Sequence, residues 1–203
     1  YQRHQVVGGS TFLDKAYLSF PDYSHQLLNN KKKHQIDFSL MKRKEYKIFN
    51  KIVLDFFSLK ITYIKQLDII LILPHHKELK MFNSIYKQLK ELIVELASKN
   101  YVVGIKYHPF HKTDDFNFRM VSKIKIIPPD IAFEFLIPYI KQKASIIGDV
   151  STVLLTSKLI NKDLKVFSLV NNSDSRQNSL HRLSKSLGIK KFETNEEIKL
   201  LIS

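Results

Sequence analysis

GIKYHPFHK (residues 104–112), IIPPDIAFEFL (126–136) and IIGDVSTVLLTS (146–157) decide how this 203-residue chain folds. Each begins as a short apolar run of strand length and passes into a polar loop or a helix start. Unbroken Ile and Val runs are what strands buried on both faces look like, and parallel sheets are made of such strands. All three pieces would therefore open on the same edge of a parallel sheet, the carboxyl edge where open α/β sheets take ligands. Lys106, His108, Glu134, Ser151 and Thr152 would converge there. These residue types suit a phosphate and a sugar diol.

Outward from these pieces the pattern is regular. Residues 68–74 (DIILILP) form an isoleucine and leucine run closed by proline, a buried strand. Residues 77–100 read as a long amphipathic helix with Met81, Ile85, Leu89, Leu92, Ile93 and Leu96 on one side, stopped by Asn100. Strands follow at 101–106 and 124–127. Asp130 can cap a helix running through Tyr139, with Glu134 in its first turns. A strand at 144–147, a short helix at 151–159, a strand at 164–170 and helices at 175–187 and 196–202 complete the chain. Such alternation predicts an α/β fold, a Rossmann-like parallel sheet flanked by helices.

The first 60 residues are less regular. YLSF (residues 17–20) reads as a short strand ended by the turn pair Pro21-Asp22, and residues 26–37 as a basic surface loop. Between 43 and 57, Tyr46, Phe49, Val53 and Phe56 recur at spacings of three and four with Ile52 beside them, which predicts a helix buried along that face. Gly8-Gly9-Ser10 reads as an ordinary turn. The boundary is expected near residues 59–65, giving an appendage at 1–64 and a Rossmann-like domain at 65–203.

Composition narrows the function classes. The absence of cysteine excludes a disulfide framework and any thiolate metal site and suits a reducing compartment, so a cytoplasmic protein is expected. No apolar run approaches the roughly 18 residues of a membrane-spanning helix. A formal charge of +14 fits a solvated lysine-rich surface, or an anionic partner such as a membrane face, a polyanion or nucleic acid. Lysine far outnumbers arginine, the residue favoured for reading base edges, so nucleic acid is disfavoured. Lys31–Lys33 and Lys42, Arg43 and Lys44 form the densest basic patches and are candidates for peripheral contact with an anionic membrane.

Each site residue has a functional and a plain reading. Pro109 fixes the backbone after His108, which holds the imidazole at the strand end, where it can donate to a phosphate or leaving-group oxygen beside the fixed charge of Lys106. The plain reading is a surface histidine next to a turn proline. Ser151 and Thr152 follow Gly148-Asp149 at a helix start, where free amides and the helix dipole favour an anion; the plain reading is an N-cap serine with nothing bound. Asp149 is expected to point away from such an anion. Glu134, among Ala132, Phe133, Phe135 and Leu136, needs a partner if buried, and a ribose diol can be one. Otherwise it is an exposed helix residue.

Taken together, KYHP, PPxxxFE and GDVST resemble the donor side of the bacterial GT-B sialyltransferases, the group of lipooligosaccharide sialyltransferases and capsular polysialyltransferases. The spacings agree: 26 positions from His108 to Glu134 and 17 from Glu134 to Ser151. The resemblance covers residues 69–170 or so. It implies a CMP-sugar-binding domain in which His108 binds the phosphate and stabilises departing CMP. It further implies Ser151 and Thr152 as phosphate donors, Glu134 as the ribose ligand, and Lys106, Pro109 and Gly148 as part of the nucleotide site. The reaction implied is inverting transfer of sialic acid from CMP-sialic acid to a glycan acceptor, with no cofactor, and with histidine and hydroxyls doing the work of a metal.

One departure bears on the chemistry. The family's general base belongs to a motif of two acidic residues and a glycine in an N-terminal acceptor domain. Asp114-Asp115-Phe116 lacks the glycine and follows the HP motif, and nothing marks Asp14 or Asp22. The chain is thus expected to be the C-terminal, donor-binding half of such an enzyme. Alternatives are a GT-B transferase with another donor, of the CDP-glycerol type, and a basic nucleic-acid-binding or purely structural domain without catalysis.

Overall fold

The computed structural model describes residues 15–20, 22, 29, 31–74, 83–110, 117–118, 121–149, 151–169 and 177–202. The chain divides into two compact units, residues 1–40 and 41–203. In the first, β1 (Lys15–Leu18) pairs in parallel with β2 (Lys32–Gln35), in register from Lys15 opposite Lys32 to Leu18 opposite Gln35. The strand expected at 17–20 thus lies two residues earlier. Part of the expected loop at 26–37 is a strand instead, because backbone pairing accepts the polar sequence KKHQ where side-chain burial is not required. Gly8-Gly9-Ser10 and Asp14 lie outside the described residues.

The second unit holds a six-stranded parallel sheet. Its strands are β3 (Ile69–Ile72), β4 (Val103–Lys106), β5 (Ile124–Ile127), β6 (Ser145–Asp149), β7 (Lys165–Leu169) and β8 (Lys190–Phe192). Their order is β5-β4-β3-β6-β7-β8, every neighbouring pair parallel. This is a doubly wound, Rossmann-like order, and the direction of winding reverses between β3 and β6. β8 has no counterpart in the sequence reading: only Phe192 of KKF is buried, so the segment lacks the apolar run of an inner strand. Its pairing to β7 makes it an edge, where lysines also discourage further strand addition.

Helices cover both faces. Because side chains alternate along a strand, Ile69, Leu71, Val103, Ile105, Ile147, Phe167 and Leu169 share one face and form a single core. Leu89, Leu92, Ile93 and Leu96 of α3 (Asn83–Ser98) and Ile198 of α6 (Asn195–Ile202) enter the same core. Asn100 takes a left-handed conformation (φ 67°) and ends the α3 segment as its position suggested. Residues 77–82, at the expected start of that helix, lie outside the described residues. The remaining helices are α1 (Lys44–Phe56), α2 (Ile61–Gln66), α4 (Thr152–Ile160) and α5 (Gln177–Ser186).

Two expectations change here. Residues 130–139 do not form one capped helix but two single turns of 3-10 helix, Phe133–Phe135 and Ile137–Tyr139. Pro138 explains this: it has no N–H to give the Glu134 carbonyl, and its ring clashes with that carbonyl in an α-helix. The buried side of α1 is also different. Asn50 and Leu54 are fully buried, whereas Phe49, Ile52 and Phe56 are 52%, 62% and 83% exposed. Polar bonds set this rotation: Asn50 Nδ2 donates to Phe135 O (3.5 Å) and Tyr139 donates to Lys47 O (3.0 Å).

The same bonds move the boundary. α1 packs on the 3-10 turns, and Tyr63 of α2 donates to Ile126 O in β5 (3.2 Å). Both helices therefore belong with the sheet, and the compact division falls at residues 40/41 rather than at 64/65. Among the described residues no helix is long and apolar enough to cross a membrane.

Residues 41–203 alone should keep a cooperative unfolding transition. Residues 65–203 should lose it or melt far lower, because Leu54, Leu59 and Ile64 go with the deleted helices. Thermal melts of the two truncated chains decide this, and equal melting temperatures would restore the boundary at 64/65. Separately, a Cβ at Gly148 would stand 2.9 Å from Ile72 O and 3.1 Å from Ile72 Cβ. Gly148→Ala should cost about 1–3 kcal/mol of stability with or without ligand, as denaturant titration would show.

Candidate functional site

At the point where the winding reverses, the carboxyl ends of β3, β4 and β6 enclose a cavity of about 460 Å³. Open α/β sheets form such a crevice there because the connections on either side leave in opposite directions. Ile72, Leu73 and Pro74 come from β3 and its exit, Lys106 to Pro109 from β4, and Asp149, Ser151 and Thr152 from β6 and the start of α4. The 3-10 segment supplies Ile131 to Glu134.

Lys106, His108, Pro109, Glu134, Ser151 and Thr152, separated by up to 46 positions in sequence, therefore line one cavity. Gly148 does not line it. Its place is in the sheet, where β6 approaches the Ile72 backbone too closely for a side chain. Asp149 is among the lining residues, contrary to the expectation that it would turn away. Asp114 and Asp115 lie outside the described residues.

Lys106 is the most constrained of the set. Val103 and Ile105 face α3, so alternation places Lys106 on the opposite face, where it is only 5% exposed. Its ammonium donates to Pro129 O (2.6 Å) and Tyr107 O (3.3 Å). Burial lowers its pKa to about 8, against the pull of the Asp130 and Glu134 carboxylates, which favour the charged form. The cavity thus has a fixed cation whose charge is maintained at neutral pH and titrates just above it.

His108 is held from its own turn. Pro109 has no N–H, so the next amide, that of Phe110, donates to His108 Nδ1 at 3.3 Å. An acceptor at Nδ1 sets the neutral tautomer with its proton on Nε2, making Nε2 a donor. The Phe110 ring flanks the imidazole, with centroids 5.4 Å apart and planes tilted by 40°.

Ser151 occupies the N-cap of α4 in extended conformation (φ −142°, ψ 162°), yet its hydroxyl caps no amide of the helix. Its Oγ is buried and has no hydrogen-bond partner among the described residues. A buried, unpaired hydroxyl is costly, and here it stands at the positive end of a nine-residue helix, beside amides that lack an intrahelical acceptor. An oxyanion would satisfy both. Thr152, the first residue of α4, is exposed.

Glu134 has a partner that sequence reading missed. Thr156 Oγ1 lies 3.1 Å from Glu134 Oε1, and also 2.9 Å from Thr152 O and 3.2 Å from Val153 O. One hydroxyl proton serves one of these acceptors at a time. The TS pair ending the third motif contains this threonine, one helical turn beyond Thr152, so the i, i+4 spacing was its only signal. Tyr46 of α1 also comes within electrostatic reach: burial first, then the Glu134 charge, raises its pKa.

The arrangement offers a cation, an imidazole donor, an unpaired hydroxyl and a helix N-terminus for an anion, with carboxylates at Glu134 and Asp149 for hydroxyl donors. No group of three His, Cys, Asp or Glu side chains that could hold a metal ion occurs among the described residues. No protein-family model and no curated protein matches the chain.

Lys106 gives this site a stability signature. Below pH 8 both folded and unfolded chains carry the proton, and the full cost of burying the charge is present. Between pH 8 and 10.5 the folded chain releases its proton first, so that cost fades as pH rises. Lys106→Met should therefore gain about 1–3 kcal/mol at pH 7, offset in part by the carbonyls it leaves unpaired, with the gain shrinking towards pH 10. Denaturant titrations at both pH values would check this; a variant less stable at pH 7 would refute it.

Proposed function

We propose that residues 41–203 are the nucleotide-sugar-binding half of a GT-B glycosyltransferase, and that the cavity takes the CMP moiety of CMP-sialic acid. The observation that carries this reading is the meeting of Lys106, His108, Glu134, Ser151 and Thr152 in one cavity at the reversal of the sheet. Phosphate would lie between Lys106, His108 Nε2, Ser151 Oγ and the first amides of α4. Ribose hydroxyls would donate to Glu134, which Thr156 steadies.

Transfer breaks the bond between the anomeric carbon of sialic acid and the phosphate oxygen, and that electron pair stays on CMP. The developing charge is met by donors already in place, so little reorganisation accompanies the step. The acceptor hydroxyl oxygen bonds to the anomeric carbon from the opposite face, inverting it, and its proton passes to a base. By the family resemblance, that base belongs to an acceptor domain. The glycan acceptor is of the surface polysaccharide or lipooligosaccharide kind, reached from the cytoplasmic side of the membrane.

Calorimetric titration with CMP tests this reading. Saturable binding is expected, weakened at least tenfold by His108→Ala and by Ser151→Ala, with UDP and CDP-glycerol competing poorly. Stronger competition by CDP-glycerol would reassign the donor, and no binding by the folded chain would remove the proposal. Because Lys106 must be protonated to meet the phosphate, affinity should hold below pH 8 and fall roughly tenfold per pH unit above it. Lys106→Arg should flatten that profile.

A further inference from the structure

We infer that α1 docks the protein onto an anionic lipid surface. Ile48, Ile52 and Phe56 follow one another at i, i+4 and i+8, with Phe49 alongside, and form one stripe along the helix. They are 55%, 62%, 83% and 52% exposed. The stripe is not the helix's core face: Asn50 and Leu54, on the other side, are fully buried, and Asn50 bonds to the 3-10 segment. Four large apolar side chains side by side on one exposed helix surface are an uncovered patch that calls for a partner.

Charge identifies that partner. At 100° per residue, Lys44, Lys47 and Lys51 lie along one flank of the stripe, all exposed, and Arg43 precedes them. Glu45, in line with the stripe at its N-terminal end, and Asp55, beside the lysine flank at its C-terminal end, are also exposed, so with Arg43 the cations of this surface outnumber its acids four to two. A second copy of this chain would bring a net charge of +14 against +14. A bilayer containing anionic lipid offers both hydrocarbon for the stripe and negative charge for the lysines. An apolar helical face bordered by lysines is the pattern of helices that lie in the membrane interface.

The docking element and the cavity share a support. α1 packs on Phe133–Phe135: the Phe49 and Phe135 rings meet edge to face at 5.9 Å, and Glu134 between the two phenylalanines lines the cavity. A surface held by α1 therefore lies one structural layer from the site. The inference does not depend on the identity of the cavity's ligand.

The chain has no tryptophan, so Phe56→Trp places a single reporter in the stripe. Its emission should shift to the blue with vesicles of phosphatidylcholine and phosphatidylglycerol, and not with phosphatidylcholine alone. In co-sedimentation with the mixed vesicles, Ile52→Asp with Phe56→Asp should reduce binding at least tenfold. Lys47→Glu and Lys51→Glu should each reduce it roughly fivefold. All these positions are exposed, and unchanged melting temperatures would show that the variants fold. An unshifted emission, or vesicle binding that falls with salt but ignores the aspartate substitutions, would overturn the inference. So would a dimer in solution that the aspartate substitutions dissolve, which would give the stripe to a second copy.

Discussion

The central strand β3 pairs with β4 on one side and β6 on the other, and the rest of the domain follows from that double pairing. Both pairings are parallel, so each connection between them must cross from one end of the sheet to the other, as α3 does between β3 and β4 and α4 between β6 and β7. The connections after β3 and after β6 depart in opposite senses, and a gap opens above the strand ends. Close approach of β6 to β3 is part of the same constraint: Ile72 O occupies the space that a Cβ at Gly148 would need.

The cavity brings together a buried cation and a buried hydroxyl that lacks a partner among the described residues. Most buried polar groups in proteins have partners. Ser151 Oγ has none among the described residues, and the Lys106 charge is kept in a buried position that lowers its pKa. Costs of this kind are common where a ligand completes the hydrogen bonding, and less so in regions that serve packing alone. At the opposite end of the sheet Asp68 accepts from the Val102 amide (2.7 Å) and pairs with Lys141.

α1 links the cavity to the surface. Its inner side is fixed by two long-range hydrogen bonds to the 3-10 turns, and its outer side presents isoleucine and phenylalanine. Stability alone does not ask for large apolar residues there. A buried Asn50, whose Oδ1 has no partner among the described residues, opposite an exposed stripe of isoleucine and phenylalanine departs from the usual hydrophobic arrangement of a helix. That departure makes sense if the outer side is covered in use.

By itself the sequence determined the sheet, because runs such as IILI, VGIK and SIIG have strand length, end at turn signals and alternate with helical segments, the pattern of inner parallel strands. It also determined that the strand-end residues Lys106, His108, Ser151 and Thr152 would share an edge, since a parallel sheet puts all its strand ends on one side. Tertiary structure decided what periodicity cannot express. Which arc of α1 turns inward depended on polar bonds from Asn50 and Tyr139 to residues some 90 positions apart, not on apolar spacing. The place of β8 depended on pairing to β7, which a three-residue basic segment does not announce. Only the folded chain brought Thr156 to Glu134 and left Ser151 Oγ without a partner, because both facts arise between segments that meet in space through the sheet.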